Sequence, residues 1–230
     1  MSGFRRLVPF CSANALFVVG LGFHAFLYNF YLEGLGLSPA VMGRAAATWS
    51  LGGLLVLLPA GRSVDRWGPK PVIVGAAVSA FLALAWGAMA ADTVQIYAAS
   101  ALAGATGVTW RVAQAPVLMQ LSTARNRSRL FTLDVAVLVA AGAAATACAG
   151  GLSSWFETGL HVGHTRTLTI VLVVGALVTG ASAIAYSVLD LTPVARETMG
   201  ASATAPAVAI PPMVIGLVAL SGLWLAGIAL

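Results

Sequence analysis

The sequence alternates between long apolar runs and short segments that carry its charges, and this alternation restricts the chain to one class of fold. Seven runs come close to the roughly 20 apolar residues that a helix needs to cross a bilayer. They cover residues 7–31, 40–60, 71–91, 94–120, 131–151, 167–190 and 211–230. Only 8% of the residues are charged and 60% are hydrophobic, so a soluble domain of this length could not cover its own surface. The pattern predicts an all-α membrane protein with about seven transmembrane helices.

Two of the predicted helices begin with capping signals. Ser38 is followed by Pro39, which suits the first position of a helix. Asp92 stands three residues before Gln95, the spacing of a capping box in which the two side chains satisfy each other's backbone N–H groups. These signals predict the starts of the second and fourth helices.

The basic residues predict the orientation, because cytoplasmic loops carry an excess of Lys and Arg. Nine fall on one side of the predicted helices: Arg5, Arg6, Arg62, Arg66, Lys70, Arg125, Arg127, Arg129 and Arg196. The other side has Arg166 in a loop, and Arg44 at the start of the second helix is expected to reach that surface too. The sequence therefore predicts a multi-pass protein of the cell membrane with a cytoplasmic N-terminus. The net charge of +5 comes from these loops and does not indicate nucleic-acid binding.

The charged segment 61–70 lies between two apolar runs and must sit at a membrane surface as a tight turn. It resembles the loop between the second and third helices of the major facilitator superfamily. The residues that match that pattern are Gly61, Asp65, Arg66, Gly68 and Lys70, while Ser63 and Pro69 depart from it. In the family this loop latches the two halves of the transporter together. The resemblance implies the same role here, and a solvated turn is the alternative.

Two further motifs agree with the resemblance. Arg111 and Gln114 form an Arg-x-x-Gln in the predicted fourth helix, followed by Ala115 where the family has Gly. The fifth helix has the glycine spacing of the family's antiporter signature. There Gly142, Gly150 and Gly151 match, and Thr146 and Ala147 replace a Gly-Pro pair.

The resemblance implies a domain organisation and a function. Residues 1–191 would form a six-helix half, 192–210 a cytoplasmic linker and 211–230 the first helix of a second half. The implied function is secondary active transport of a small solute by alternating access, with protons as a candidate coupling ion. The chain would then need a second half or a dimer mate. The alternative is a degenerate or truncated membrane module that binds a partner or dimerises without transporting.

Polar residues inside the spans are the candidate transport residues, because charges at membrane depth face a cavity or a partner. Arg111 shares a predicted helix face with Gln114, Gly107 and Gly104, and the glycines permit close helix approach. A structural role that ties helix ends together is the alternative for Arg111. Asp134 either partners Arg111, takes up protons, or caps the fifth helix beside Arg129.

The first helix carries a stripe of aromatic and polar residues at spacings of three and four. The stripe consists of Asn14, Phe17, Leu21, His24, Tyr28 and Tyr31. Such a face suits the lining of a substrate cavity, with His24 as its proton-sensitive member. Interhelical hydrogen bonding is the alternative.

Little in the sequence indicates enzymatic or cofactor chemistry. Cys11 and Cys148 lie in apolar runs and are expected to pack as small hydrophobic residues. His161 and His164 lack a third ligand and make a poor zinc site. No nucleotide-binding motif and no nucleophile–base pair at membrane depth is apparent. The sequence predicts a protein without a cofactor that is not an enzyme.

Overall fold

A computed structural model describes residues 2–122, 126–159 and 163–189, and these residues form six α-helices. The helices are α1 (Ser2–Gly34), α2 (Pro39–Trp67), α3 (Pro69–Met89), α4 (Thr93–Leu121), α5 (Arg127–Gly159) and α6 (His164–Val188). No strand occurs within these ranges. The predicted linker 192–210 and the predicted helix 211–230 lie outside the described residues, and both stay predictions.

Five of these helices are long and apolar enough to cross a membrane: α1, α2, α3, α5 and α6. The chain is therefore a helical protein of multi-pass membrane character. The exception is α4, which is not apolar enough by the same measure. Yet α4 is 29 residues long and has buried residues from Ile96 to Leu121, so it runs the full height of the bundle.

The two capping signals are borne out unequally. Ser38 is the N-cap of α2 with Pro39 as the first helical residue, although the Ser38 side chain makes no capping hydrogen bond. The Asp92 carboxylate accepts a 3.1 Å hydrogen bond from the Val94 amide, which caps α4 as predicted. Gln95 is exposed and no return bond from it to Asp92 is found, so the capping box is only half made.

The helix packing has an internal symmetry. The main partners are α2 with α4, α1 with α5, α1 with α6, α4 with α3, and α3 with α6. Suppose that α1 is exchanged with α4, α2 with α5 and α3 with α6. The α2–α4 pair then becomes the α5–α1 pair, the α1–α6 pair becomes the α4–α3 pair, and the α3–α6 pair is unchanged. In this series of pairs α3 and α6 lie in the middle, and α2 and α5 lie at the two ends.

Glycines set how closely the helices approach. A Cβ added at Gly104 of α4 would overlap the backbone carbonyl of Trp49 in α2, and one at Gly52 would overlap the backbone of Ala101. In the α1–α6 pair, a Cβ at Gly20 would overlap Thr179. Backbones this close gain van der Waals contact along their length, which is how small residues hold membrane helices together. Gly104 thus has the packing role that its position predicted.

The charged segment 61–70 is almost entirely helical, which corrects the expected loop. Helix α2 continues to Trp67 and α3 begins at Pro69, so the turn between them is the single residue Gly68. Gly68 has φ 84°, a left-handed conformation that favours glycine. Asp65 and Arg66 can remain helical because they lie in the last turn of α2 with their side chains exposed. The tight connection was predicted correctly, and its length was not.

Successive helices run in opposite directions, which collects most basic residues at one end of the bundle. One core cluster joins Leu7, Val72 and Tyr186 and marks this basic end, while another joins Leu32, Ala88 and Leu168 at the opposite end. The described basic side chains at the basic end are Arg62, Arg66, Lys70, Arg127 and Arg129, and those at the opposite end are Arg44 and Arg166. The predicted charge bias is thus present in the fold. Which end faces the cytoplasm stays a prediction.

Candidate functional site

A buried carboxylate joins three helices near the basic end. Asn14 of α1 donates a hydrogen bond from Nδ2 to Oδ1 of Asp134 at 2.7 Å. Gln114 of α4 donates from Nε2 to Oδ2 of the same carboxylate at 2.8 Å. Only 4% of Asp134 is exposed. Both carboxylate oxygens accept hydrogen bonds, as an ionised carboxylate does.

The hydrogen bonds continue from Asn14 to the sixth helix. The Tyr186 hydroxyl donates to Asn14 Oδ1 at 2.6 Å and accepts from Trp110 Nε1 at 2.8 Å. An indole N–H can only donate, so Tyr186 accepts from Trp110, and its own hydroxyl proton is directed to the Asn14 oxygen. Asn14 must therefore present its NH₂ group to Asp134. We call these five residues the Asp134 network: Asp134, Asn14, Gln114, Tyr186 and Trp110.

Aromatic packing shields the Asp134 network from solvent. Trp110 stacks on Phe17 with ring centroids 4.3 Å apart, and Phe10 packs against Tyr186 at 6.4 Å. Asn14 is fully buried. In such surroundings hydrogen bonds are stronger than in water, and an unpaired polar group is correspondingly costly. The network therefore fixes the relative placement of α1, α4, α5 and α6.

The position of Asp134 bears on two of the three roles predicted for it. It lies seven residues into α5, or about 10 Å from the start of the helix, so it is not the helix cap. No basic side chain lies within 4 Å of the carboxylate in the described part of the chain, so Arg111 does not form a close ion pair with it. Proton uptake stays a prediction.

Arg111 points away from the Asp134 network. Its side chain is exposed and its guanidinium carbon lies 5.3 Å from the centroid of the Trp110 ring, a cation–π arrangement. Gln114 is buried, so the two residues of the Arg-x-x-Gln motif do not share a helix face, contrary to the prediction. Gly107 likewise has nothing within 4 Å of an added Cβ. Arg111 thus presents its charge on the outside of the six-helix unit.

The aromatic and polar stripe of α1 faces the interior of this unit. Its members are buried except for half-buried Leu21. Asn14 and Phe17 belong to the packing around the Asp134 network. Tyr31 donates to the Ala90 carbonyl at 3.1 Å, and His24 stacks on Tyr28 with centroids 4.2 Å apart. Asn14 and Tyr31 therefore make interhelical hydrogen bonds, as in the alternative interpretation of the pattern, while a cavity role for His24 and Tyr28 stays a prediction.

The predicted latch residues lie at the basic end. The side chains of Asp65 and Arg66 are exposed, and the Arg66 guanidinium lies 5.9 Å from the centroid of the Trp67 ring. Lys70 donates from Nζ to the Leu189 carbonyl at 2.5 Å. Leu189 is the C-cap residue of α6, so Lys70 satisfies a helix-end carbonyl. Gly61 and Gly68 flank this surface.

Two surface clefts lie outside the Asp134 network. One, of about 290 Å³, is almost entirely apolar and lies between α1 and α5. Its lining residues are Leu7, Val8, Cys11, Ser12, Ala15, Leu133 and Val137. The other, of about 270 Å³, lies among α2, α3 and α4 and includes Ser63, Ser79 and Thr109. Neither cleft encloses a solute within the six helices alone.

Sequence reasoning missed two members of the Asp134 network and one surface contact. Tyr186 and Trp110 each place a polar atom on an aromatic ring inside a long apolar run, and that was the signal available. Glu157 Oε1 and His164 Nδ1 lie 2.6 Å apart, at hydrogen-bonding distance, across the α5–α6 connection. His161 lies outside the described residues, and within them no three potential metal ligands come together.

No protein-family model matches this sequence, and a comparison with curated proteins gives no match. The function is therefore argued from the helix arrangement and from the groups buried in it.

Proposed function

We propose that the six helices are the first half of a secondary transporter of the major facilitator type, which moves a small solute across the cell membrane by alternating access. The observation that carries the proposal is the packing symmetry between α1–α3 and α4–α6. Three helices are an odd number, so the second set runs opposite to the first. Inverted three-helix repeats inside each six-helix half are the architecture of this type of transporter. This support does not depend on the sequence motifs.

The outer faces of the unit fit a second half. Helices α2 and α5 are peripheral, and α2 exposes a row of apolar side chains formed by Leu51, Leu54, Leu55 and Leu58. An arginine that faced lipid at the depth of Arg111 would cost a few kcal/mol, about 3 on insertion scales. We therefore place Arg111 in a polar cavity between the two halves, where a solute with a negative or hydrogen-bond-accepting group would meet it.

The Asp134 network provides a site for proton coupling. In this orientation Asn14 offers an N–H to Asp134, and turning its amide would leave the Tyr186 hydroxyl proton without its acceptor. A proton on the carboxyl group needs an acceptor, so Gln114 would have to turn its amide or the bond from Asn14 would have to be replaced, and either change alters the bonds that join α1, α4 and α5. Protonation and helix packing are thus linked at one residue, which is what a coupled transporter requires.

The proposal also includes a latch, formed by Asp65 and Arg66, that changes its contacts during transport. Asp65 and Arg66 are exposed and make no ion pair within the described residues, so they are free to contact the second half. Lys70 is already engaged with α6. In this arrangement Asp65 would form its contacts in one state and release them in the other, while Lys70 holds the base of the turn.

The test is solute and proton movement in proteoliposomes that contain the complete protein of which this unit is the proposed half. Vesicles loaded with a mixture of small solutes are placed in a pH gradient, and their contents are followed by mass spectrometry beside an internal pH dye. We expect one solute to move with the gradient and Asp134→Asn to abolish the proton signal. Glu33→Gln is the matched control, since Glu33 is an exposed carboxylate at the opposite end.

Failure of every solute to move would overturn the transporter proposal. A stable dimer or a partner complex in the same preparation would then favour a membrane module that binds without transporting.

A further inference from the structure

The opposite half of α1 holds a second polar cluster, distinct from the Asp134 network. His24 Nδ1, the Tyr28 hydroxyl and the Ser100 hydroxyl are buried and accept or donate no hydrogen bond within the described residues. Each of these side chains is at least nine-tenths buried, with exposed fractions of 4%, 9% and 3%. Two come from α1 and one from α4. We call the three residues the His24 cluster.

A glycine of α3 lies beside the cluster. A Cβ built on Gly87 would be in van der Waals contact with three groups, at 3.4 Å from His24 Cε1, 3.6 Å from Ala99 Cβ and 3.7 Å from the Tyr28 hydroxyl oxygen. His24 and Tyr28 therefore border one point at the surface of α3, and no side chain from Gly87 occupies it. Tyr28 and Ser100 lie near enough to interact but not in hydrogen-bonding geometry. The three polar groups thus lie together where α1 meets α3 and α4.

The physical cost of leaving these groups unpaired is high. In a membrane interior there is no bulk water to satisfy them, and each unpaired polar group is destabilising. Buried polar groups in proteins accordingly find a partner, and an internal water with two to four polar neighbours is the common solution. The cluster offers three such neighbours.

The chemistry of the three groups selects the ligand. A hydroxyl can donate or accept, and a neutral imidazole nitrogen can do either according to its tautomer. No carboxylate or basic side chain contacts them, and among the described residues no set of three acidic, histidine or cysteine side chains could hold a metal. An ion is therefore disfavoured, and the ligand is neutral, small, and both a donor and an acceptor.

We propose that the His24 cluster binds an internal water molecule that hydrogen-bonds α1 to α4 beside Gly87. His24 lies ten residues from Asn14 on α1, or about 15 Å along the helix, so the site is separate from the Asp134 network. The inference does not rest on the proposed transport function. It assigns His24 and Tyr28 to a fixed hydration site within the six-helix unit.

The deciding experiment is X-ray hydroxyl-radical footprinting of the full chain in lipid nanodiscs. Radicals form from water in place, so side chains next to a bound internal water are modified although bulk solvent does not reach them. We expect modification of Tyr28 and His24 in the unaltered protein. We expect at least a threefold loss of both in Gly87→Ala, whose methyl group would contact His24 and Tyr28 and crowd a water bound between them. Absence of modification in the unaltered protein, or equal modification in Gly87→Ala, would overturn the proposal.

Thermal stability gives a second readout, the difference in melting temperature between Gly87→Ala and a control variant. Gly75→Ala is the matched control, because Gly75 lies on the same helix and an added Cβ there meets nothing within 4 Å. Both changes improve helix propensity equally. If the methyl displaces a water, Gly87→Ala should melt lower than Gly75→Ala, by roughly 2–4 °C. If the two variants melt together, there is no water to displace and the proposal fails.

Discussion

The Tyr186 hydroxyl and the Asn14 side-chain oxygen, 172 residues apart in sequence, form a buried 2.6 Å hydrogen bond between α6 and α1. This bond fixes the side-chain orientation of Asn14 and through it the way in which Asp134 is held. Through this bond α6 influences how the Asp134 carboxylate of α5 is hydrogen-bonded.

Removing that hydroxyl should destabilise the protein. Tyr186→Phe leaves Trp110 Nε1 without an acceptor and Asn14 Oδ1 without a donor, a loss of about 1–3 kcal/mol. Tyr97→Phe is the control, because the Tyr97 hydroxyl makes no hydrogen bond to another described residue and its removal breaks no bond within the described chain. Thermal unfolding in detergent compares the two. Equal melting temperatures would show that the Tyr186 bonds carry no net stability.

Two glycines three residues apart on α4 should respond differently to the same change. Gly104→Ala drives a methyl into the Trp49 carbonyl and should cost about 1–3 kcal/mol or prevent accumulation. Gly107→Ala meets nothing within 4 Å and should gain up to about 1 kcal/mol from helix propensity. Fluorescence-detected size exclusion of tagged protein measures both. Normal accumulation and melting of Gly104→Ala would contradict the close α2–α4 packing.

Asp65→Asn should separate function from folding. Asp65 is exposed and forms no ion pair with the described residues, so the change should leave stability within about 0.5 kcal/mol. If Asp65 belongs to the proposed latch, solute uptake by the complete protein should fall at least tenfold at normal membrane levels. Uptake equal to that of the unaltered protein would reduce the segment to a topology signal.

Arg111 should likewise matter for function more than for insertion. Arg111→Leu removes an expensive charge and should insert at least as well, while Arg111→Lys keeps the charge but loses the planar group over Trp110. Both should lower uptake, and Arg44→Leu, an exposed arginine at the opposite end, should not. Normal uptake by both Arg111 variants would show that Arg111 has no role in the cavity. Failure of both to accumulate would make its role structural.

The predicted orientation can be tested by cysteine labelling. In a chain with Cys11 and Cys148 replaced by Ala, a cysteine at exposed Arg127 should react with an impermeant maleimide only from the cytoplasm. A cysteine at Gly43, exposed at the opposite end, should react only from outside. Labelling of position 127 from outside and of position 43 from the cytoplasm would show that the orientation is the reverse of the predicted one.

The sequence predicted the helices well, because a span must satisfy its backbone within itself and so declares itself in hydropathy alone. It predicted the Asp92 cap for the same local reason. It placed the end of α2 too early, since Asp65 and Arg66 are charged residues that a helix tolerates once it leaves the hydrocarbon. Local pattern does not reveal how far a helix continues beyond the membrane.

The site was harder to predict because it depends on rotation and on distant residues. Arg111 and Gln114 are three residues apart, and a rotation of about 60° decides that one is exposed and the other buried. The partners of Asp134 come from α1 and α4, which no spacing in α5 could indicate. Asn14, Gln114 and Asp134 were each chosen as polar residues in apolar helices, but their meeting is a product of the packing.

The one-residue turn at Gly68 has a mechanical consequence. Two peptide links separate Trp67 from Pro69, so their Cα atoms can never be more than about 7.6 Å apart. Four residues, 35–38, connect the other end of α2 to α1 and leave it more slack. The connection at Gly68 thus restricts any shift of α2 relative to α3 most strongly at the basic end. Lys70, in the first turn of α3, also joins this end to the C-terminus of α6.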